Sequence, residues 1–131
     1  MDSEILDELF LKERHLYVKL TEFENISIQL GEAVDRRDEV SVQMLLNMRE
    51  EPASQLQEID QYLRARLFEL PEEDAIRGRE LLEGAPPQDP EEARLCAQVS
   101  QNQRLLQRCM ELDRRISTRV DGSRSFYTKY R

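Results

Sequence analysis

The chain has 131 residues, enough for one domain with a modest core, and is 39% hydrophobic and 35% charged. Four Gly, five Pro and no Trp suit long amphipathic helices better than a sheet-rich fold. A net charge of −8 argues against nonspecific nucleic-acid binding, and no apolar run approaches the roughly 20 residues of a membrane span.

The opening "MDSEILDELF" is acidic where a signal peptide is basic, so a cytoplasmic location is expected. From about Ser3 to Val34, Leu9, Leu16, Phe23 and Leu30 recur every seven residues. Leu6, Leu20 and Val34 fill much of the companion row, which Glu13 and Ser27 interrupt. This seam predicts a long amphipathic helix, with Ser3 as its cap and Asp7 and Glu8 in its first turns. About 45 Å of such helix needs partners to cover it.

"DRRDEV", residues 35–40, breaks the seam, and Asp38 is a candidate N-cap for the next helix. An unbroken helix through it is the alternative. The second pattern reads Val42, Leu45, Met48 or Arg49, Leu56, Ile59, Leu63 and Leu67, with Pro52 in its middle. Proline removes a ladder hydrogen bond and crowds the preceding turn, so a kink or a restart is expected there, the kinked pair being the preferred reading. Residues 72–83 predict a short connector helix with Ile76, Leu81 and Leu82 as its apolar contacts, and residues 84–90 an extended turn. Glu72, Glu73, Asp74, Glu91 and Glu92 read as a solvated connector rather than a calcium loop.

The last long pattern starts near Pro90 or Glu91 and runs to about Val120, through Leu95, Val99, Asn102, Leu106, Cys109 and Ile116. Leu105 and Leu112 flank the row, Asp113 interrupts it, and Gly122 is a plausible stop. The fold expected is all-α: an elongated antiparallel bundle or coiled coil of three long helices with a short connector helix, spanning residues 1–122. Cys96 and Cys109, thirteen residues apart on one helix, lie roughly 20 Å from each other and read as reduced residues.

Catalytic patterns are missing. His15 is the only histidine, it has no nucleophile or second ligand at helical spacing, and the glycines form no phosphate loop. Neither an enzyme, a metal site nor a cofactor is expected.

The stretch "EAVDRRDEVSVQMLLNMREEPASQLQEIDQYLRAR" is similar to the FlgN-like flagellar export chaperones. That family shows a helix, an acidic turn before a leucine pair, then a basic residue opening another leucine-spaced helix. Asp38, Leu45, Leu46, Arg49, Leu56 and Ile59 match those places. "SQNQRLLQRCMEL" resembles the family's Asn-x-x-Leu-Leu stretch through Asn102, Leu105 and Leu106. The pattern covers most of residues 1–120; Pro52 departs from it. The resemblance implies a cytosolic, nonenzymatic chaperone that keeps hook–filament junction proteins unpolymerised and delivers them to the flagellar type III export apparatus. The physical mode would be a client's amphipathic terminal helix lying in an apolar groove.

On that reading the partner-binding residues are Asn102, Leu105, Leu106, Cys109, Leu112, Ile116 and Val120, braced by residues 3–34. The competing reading is that these same positions complete the monomer's core. A FliT-type chaperone and regulator for the filament-cap protein, and a homodimeric structural coiled coil without a client, are the rival functions. The tail "SRSFYTKYR", residues 123–131, puts Phe126 and Tyr127 among Arg124, Lys129 and Arg131. Three readings apply to it: a frayed end, a stacking tail for nucleic acid, or a docking peptide. The docking reading is preferred because it uses aromatics and bases together, with Phe126 and Tyr127 as partner-binding residues; no nucleic acid is expected as a partner.

Overall fold

A computed structural model describes residues 1–119, which form four α-helices packed together. They are α1 (Ser3–Asp35), α2 (Glu39–Phe68), α3 (Glu72–Leu82) and α4 (Pro90–Arg119). Among the described residues there is no strand, and no helix is long and apolar enough to cross a membrane. Val120, the stop expected at Gly122, and the tail with Phe126 and Tyr127 lie outside the described residues.

Asp2, rather than Ser3, caps α1: its Oδ1 accepts from the Glu4 amide at 2.9 Å. A carboxylate there satisfies an orphan N–H and also meets the positive end of the helix dipole. The seam then packs as its spacing requires, with Leu6, Leu9, Leu20 and Leu30 all buried. The turn at residues 36–38 is a Schellman closure. Asp38 N–H bonds Ala33 carbonyl and Arg37 N–H bonds Val34 carbonyl, each at 3.0 Å. Arg37 sits in the left-handed region at φ 58° to make it. A side chain is strained in that conformation, so Arg37→Gly is expected to raise stability by about 0.5–1 kcal/mol, read as a higher urea midpoint.

Asp38 caps α2, its Oδ1 accepting from the Ser41 amide at 3.1 Å. No break occurs at Pro52: α2 is one helix through it, and the Pro52 side chain is buried. The amide that proline lacks would have bonded the carbonyl of Met48, a half-exposed residue where water can substitute. Packing against α1 on both sides of Pro52, through Leu45 and Leu46 and then Ile59 and Leu63, holds both halves of α2 in the bundle without a restart.

α2 runs back along α1, so that Glu8 meets Arg66 at 2.8 Å and Ser27 meets Arg49 at 3.1 Å. α4 then runs parallel to α1, pairing Asp7 with Arg94 and Glu24 with Arg108, each at 3.0 Å. Between them α3 returns the chain. Leu81, fully buried, packs with Leu63, Leu67 and Leu95, and a Cβ on Gly78 would meet Leu67 Cδ2 at 2.5 Å. A larger residue at 78 would therefore have to push the end of the Leu67 side chain aside.

The connector is only partly solvated. Glu92 is buried, and Arg77 grips it from α3 with Nη2 at 2.6 Å and Nε at 3.1 Å. The Arg77 guanidinium, with the Gln88 amide at 2.8 Å, holds the Glu92 carboxyl below the usual carboxylate range. A buried charge needs such partners.

Candidate functional site

α1 packs along both α2 and α4, whereas the backbones of α2 and α4 barely approach each other. Shared core side chains, such as Ile116 with Val42 and Leu45, link those outer helices, and two further devices join them. At one end Arg49 of α2 reaches Asp113 of α4 at 2.7 Å; at the other, α3 is inserted between them. Between the two lies a groove of about 590 Å³, within the size range of ligand sites.

α1 contributes Glu13, Leu16 and Leu20 to this groove. The α2 side is Asp60, Leu63, Arg64, Leu67 and Phe68; the α4 side is Val99, Asn102, Gln103 and Leu106. Arg79 and Leu82 of α3 and its C-cap Glu83 close it. Leu63, Leu67 and Val99 are already buried against α1, but Leu106 is 48% and Phe68 is 91% exposed. Phe68 is the last residue of α2 and has no core position to fill.

Polar groups line the same groove. Asn102 Nδ2 donates to Glu13 Oε1 at 3.0 Å and to the Glu13 carbonyl at 2.8 Å. Asn102 Oδ1 accepts from Gln98 Nε2 at 3.0 Å, and Gln98 Oε1 accepts from Arg14 Nη1 at 3.2 Å. Glu13, Gln98 and Asn102 are all buried. Burial pushes the Glu13 carboxyl up from its ordinary range; the Asn102 amide opposes this and the charge of Asp60 adds to it. The two positions that look like polar residues in apolar rows are therefore partners across the α1–α4 contact.

The sequence-derived binding residues divide. Asn102 and Leu106 line the groove. Leu105 and Cys109 pack with Leu20, and Ile116 packs with Leu30, Ala33, Val42, Leu45 and Leu46, all of them buried, while Leu112 packs partly buried against the latter group. Leu105, Cys109 and Ile116 are thus core positions, and Leu112 lies at the core's edge. Burial pushes the Cys109 thiol up to about 11, so it stays protonated, and Cys96 and Cys109 are both free thiols. From sequence, Glu13 was only a break in a seam and Leu82 only a connector contact, and Gln103 and Phe68 were not singled out at all. For Glu13 a signal existed: an acid at a seam position on a helix that must be buried.

His15 is exposed on α1 and does not line the groove. Among the described residues no three of His, Cys, Asp and Glu come together as a metal-binding group. Among the described residues the groove holds no hydroxyl or thiol beside Glu13. What its lining can do is cover apolar surface and accept a hydrogen bond at a dehydrated carboxylate. No protein-family profile, no curated protein and no solved structure matches the chain.

Proposed function

We propose that the chain is a FlgN-like, nonenzymatic export chaperone of the cytosol that receives the amphipathic terminal helix of hook–filament junction proteins. On this reading the three long helices form an elongated coiled-coil-like bundle, and the client helix lies between α2 and α4 and is handed on to the type III export apparatus. The observation that carries it is the parting of those helices around an apolar groove with Phe68 and Leu106 standing at its edge. A client helix laid there would supply the missing wall and cover both side chains, the helix-in-groove mode of recognition.

The test is titration calorimetry of the purified chain with purified junction proteins and with the same proteins lacking their terminal helix. Binding that disappears with that helix is expected. Retention of the filament-cap protein instead would transfer the reading to a FliT-type chaperone. No binding to either would overturn it.

One observation favours a second reading, self-association. Val40, Met44 and Met48 fall at helical spacing on α2 and are 82%, 53% and 49% exposed. Light scattering that shows a dimer broken by Met44→Glu would favour the homodimer.

A further inference from the structure

Glu13 is 5% exposed, yet it lines the groove and no ion pair among the described residues reaches it. Arg64, the groove cation on α2, is held by Asp60 at 3.0 Å. Arg79 and Glu83 face the groove from α3, and α4 presents only the uncharged Asn102 and Gln103 beside Val99 and Leu106. Of the two Glu13 carboxylate oxygens, Oε1 takes the Asn102 amide and Oε2 accepts no side-chain hydrogen bond. Among the described residues no enclosed side-chain oxygen lacks a partner, so Oε2 is not sealed off, and the residue it belongs to lines the groove. A carboxylate half satisfied in an apolar site is costly to the fold, and the cost falls away once a cation meets it.

We infer that the groove selects helices carrying a lysine or arginine among their apolar positions, and that Glu13 is the specificity-determining residue that takes the cationic head group. The inference rests on the groove being a helix acceptor, as proposed above, and names the chemistry of the helix it accepts. Three further features agree. The long stem of either cation suits the apolar walls of Leu16, Leu63 and Val99. The −8 chain favours a cationic partner's approach. Asn102 fixes the carboxylate at the floor, so Glu13 is oriented before the partner arrives.

The probe is a pair of synthetic amphipathic helices of about 18 residues, long enough to hold helical structure, with leucines on one face. One carries a single lysine in the centre of that face, the other norleucine. The full chain should bind the lysine helix about tenfold more tightly, the scale of one well-placed charge pair. In Glu13→Gln, whose amide oxygen still accepts from Asn102, the preference should fall to about twofold or less, an expectation on the same scale. An arm that needs no variant uses pH. Glu13 takes up its proton above the ordinary 4.5, whereas Glu8 and Glu92 are held below it, so acidification from neutral erases the preference before it disturbs those pairs.

Stability gives an opposite sign. The folded Glu13 carboxyl titrates above its unfolded value, so the wild type loses stability as pH rises through that folded value. Glu13→Gln should therefore melt higher than wild type at neutral pH, and the two should converge toward pH 4.5. Equal binding of both helices by wild type, or an unchanged preference in Glu13→Gln, would leave the groove a helix acceptor and overturn the inference alone. Failure of both helices to bind would overturn the acceptor reading and the inference together.

Discussion

Leu105→Glu will abolish the cooperative helical melt, whereas Leu106→Glu will keep it and lose client binding. The two leucines are neighbours on α4, in the stretch "SQNQRLLQRCMEL" on which the proposed chaperone reading draws. Leu105 is 1% exposed, packed with Leu20 and Cys109 beneath Leu16 and Tyr17. Glutamate there forfeits about 2 kcal/mol of burial and places an unpaired carboxylate in an apolar site at a cost of several more. Against a total of about 5–15 kcal/mol, that is most of the stability of a domain this size. Leu106 is 48% exposed at the groove edge, so its glutamate can stay hydrated in the free protein. Only a client covering that edge would have to bury it. Circular dichroism melts and calorimetry on the two variants separate these outcomes; equal melts, or unimpaired binding by Leu106→Glu, would contradict the assignment of groove and core.

Much of the helical framework was legible because amphipathic spacing is a local property. Residues 3–34, 72–83 and a start near Pro90 were expected, and the helices observed run Ser3–Asp35, Glu72–Leu82 and from Pro90. Legibility failed where local preference met tertiary packing. Pro52 allows a restart in isolation, but α2 continues through it with α1 packed on both sides. Arg37 carries no turn signature, yet it closes the first turn in a conformation usually left to glycine.

The groove was less accessible still. Periodicity says which side chains share a helix face, not which faces meet, and this groove exists because α3 sits between α2 and α4. Spacing put Leu106 in the row and Leu105 at its flank, whereas Leu105 is the core residue and Leu106 the half-exposed one, because α1 lies against the Leu105 side. Glu13, Ser27, Asn102 and Asp113 occupy apolar rows or interrupt them, and each makes a hydrogen bond to another helix. A polar residue in an otherwise apolar seam is a message about a partner, and the partner is invisible until the helices are placed.

The second large effect is expected at Arg49, where two of those interruptions converge. Its Nη1 donates to Ser27 Oγ on α1 at 3.1 Å and to Asp113 Oδ1 on α4 at 2.7 Å, and its guanidinium lies 4.9 Å from the centre of the Phe23 ring. One α2 side chain thereby holds all three long helices at the end of the bundle remote from α3. Removing it strands the Ser27 hydroxyl, which is completely buried, whereas Asp113 is open enough to regain water. Arg49→Ala should therefore cost about 3 kcal/mol, from the orphaned hydroxyl, the lost ring contact and the lost packing of the stem. If the buried hydroxyl dominates, Asp113→Asn will be mild, and Ser27→Ala added to Arg49→Ala will recover about 1 kcal/mol or more in a double-mutant cycle. Lysine will rescue poorly, because an ammonium cannot reproduce the flat stacking of guanidinium on Phe23 while it bonds both oxygens. Urea midpoints for the five variants, Ser27→Ala alone included, decide it: an Asp113→Asn loss as large as that of Arg49→Ala would place the energy in the ion pair, and with it the strength of the α2–α4 clasp.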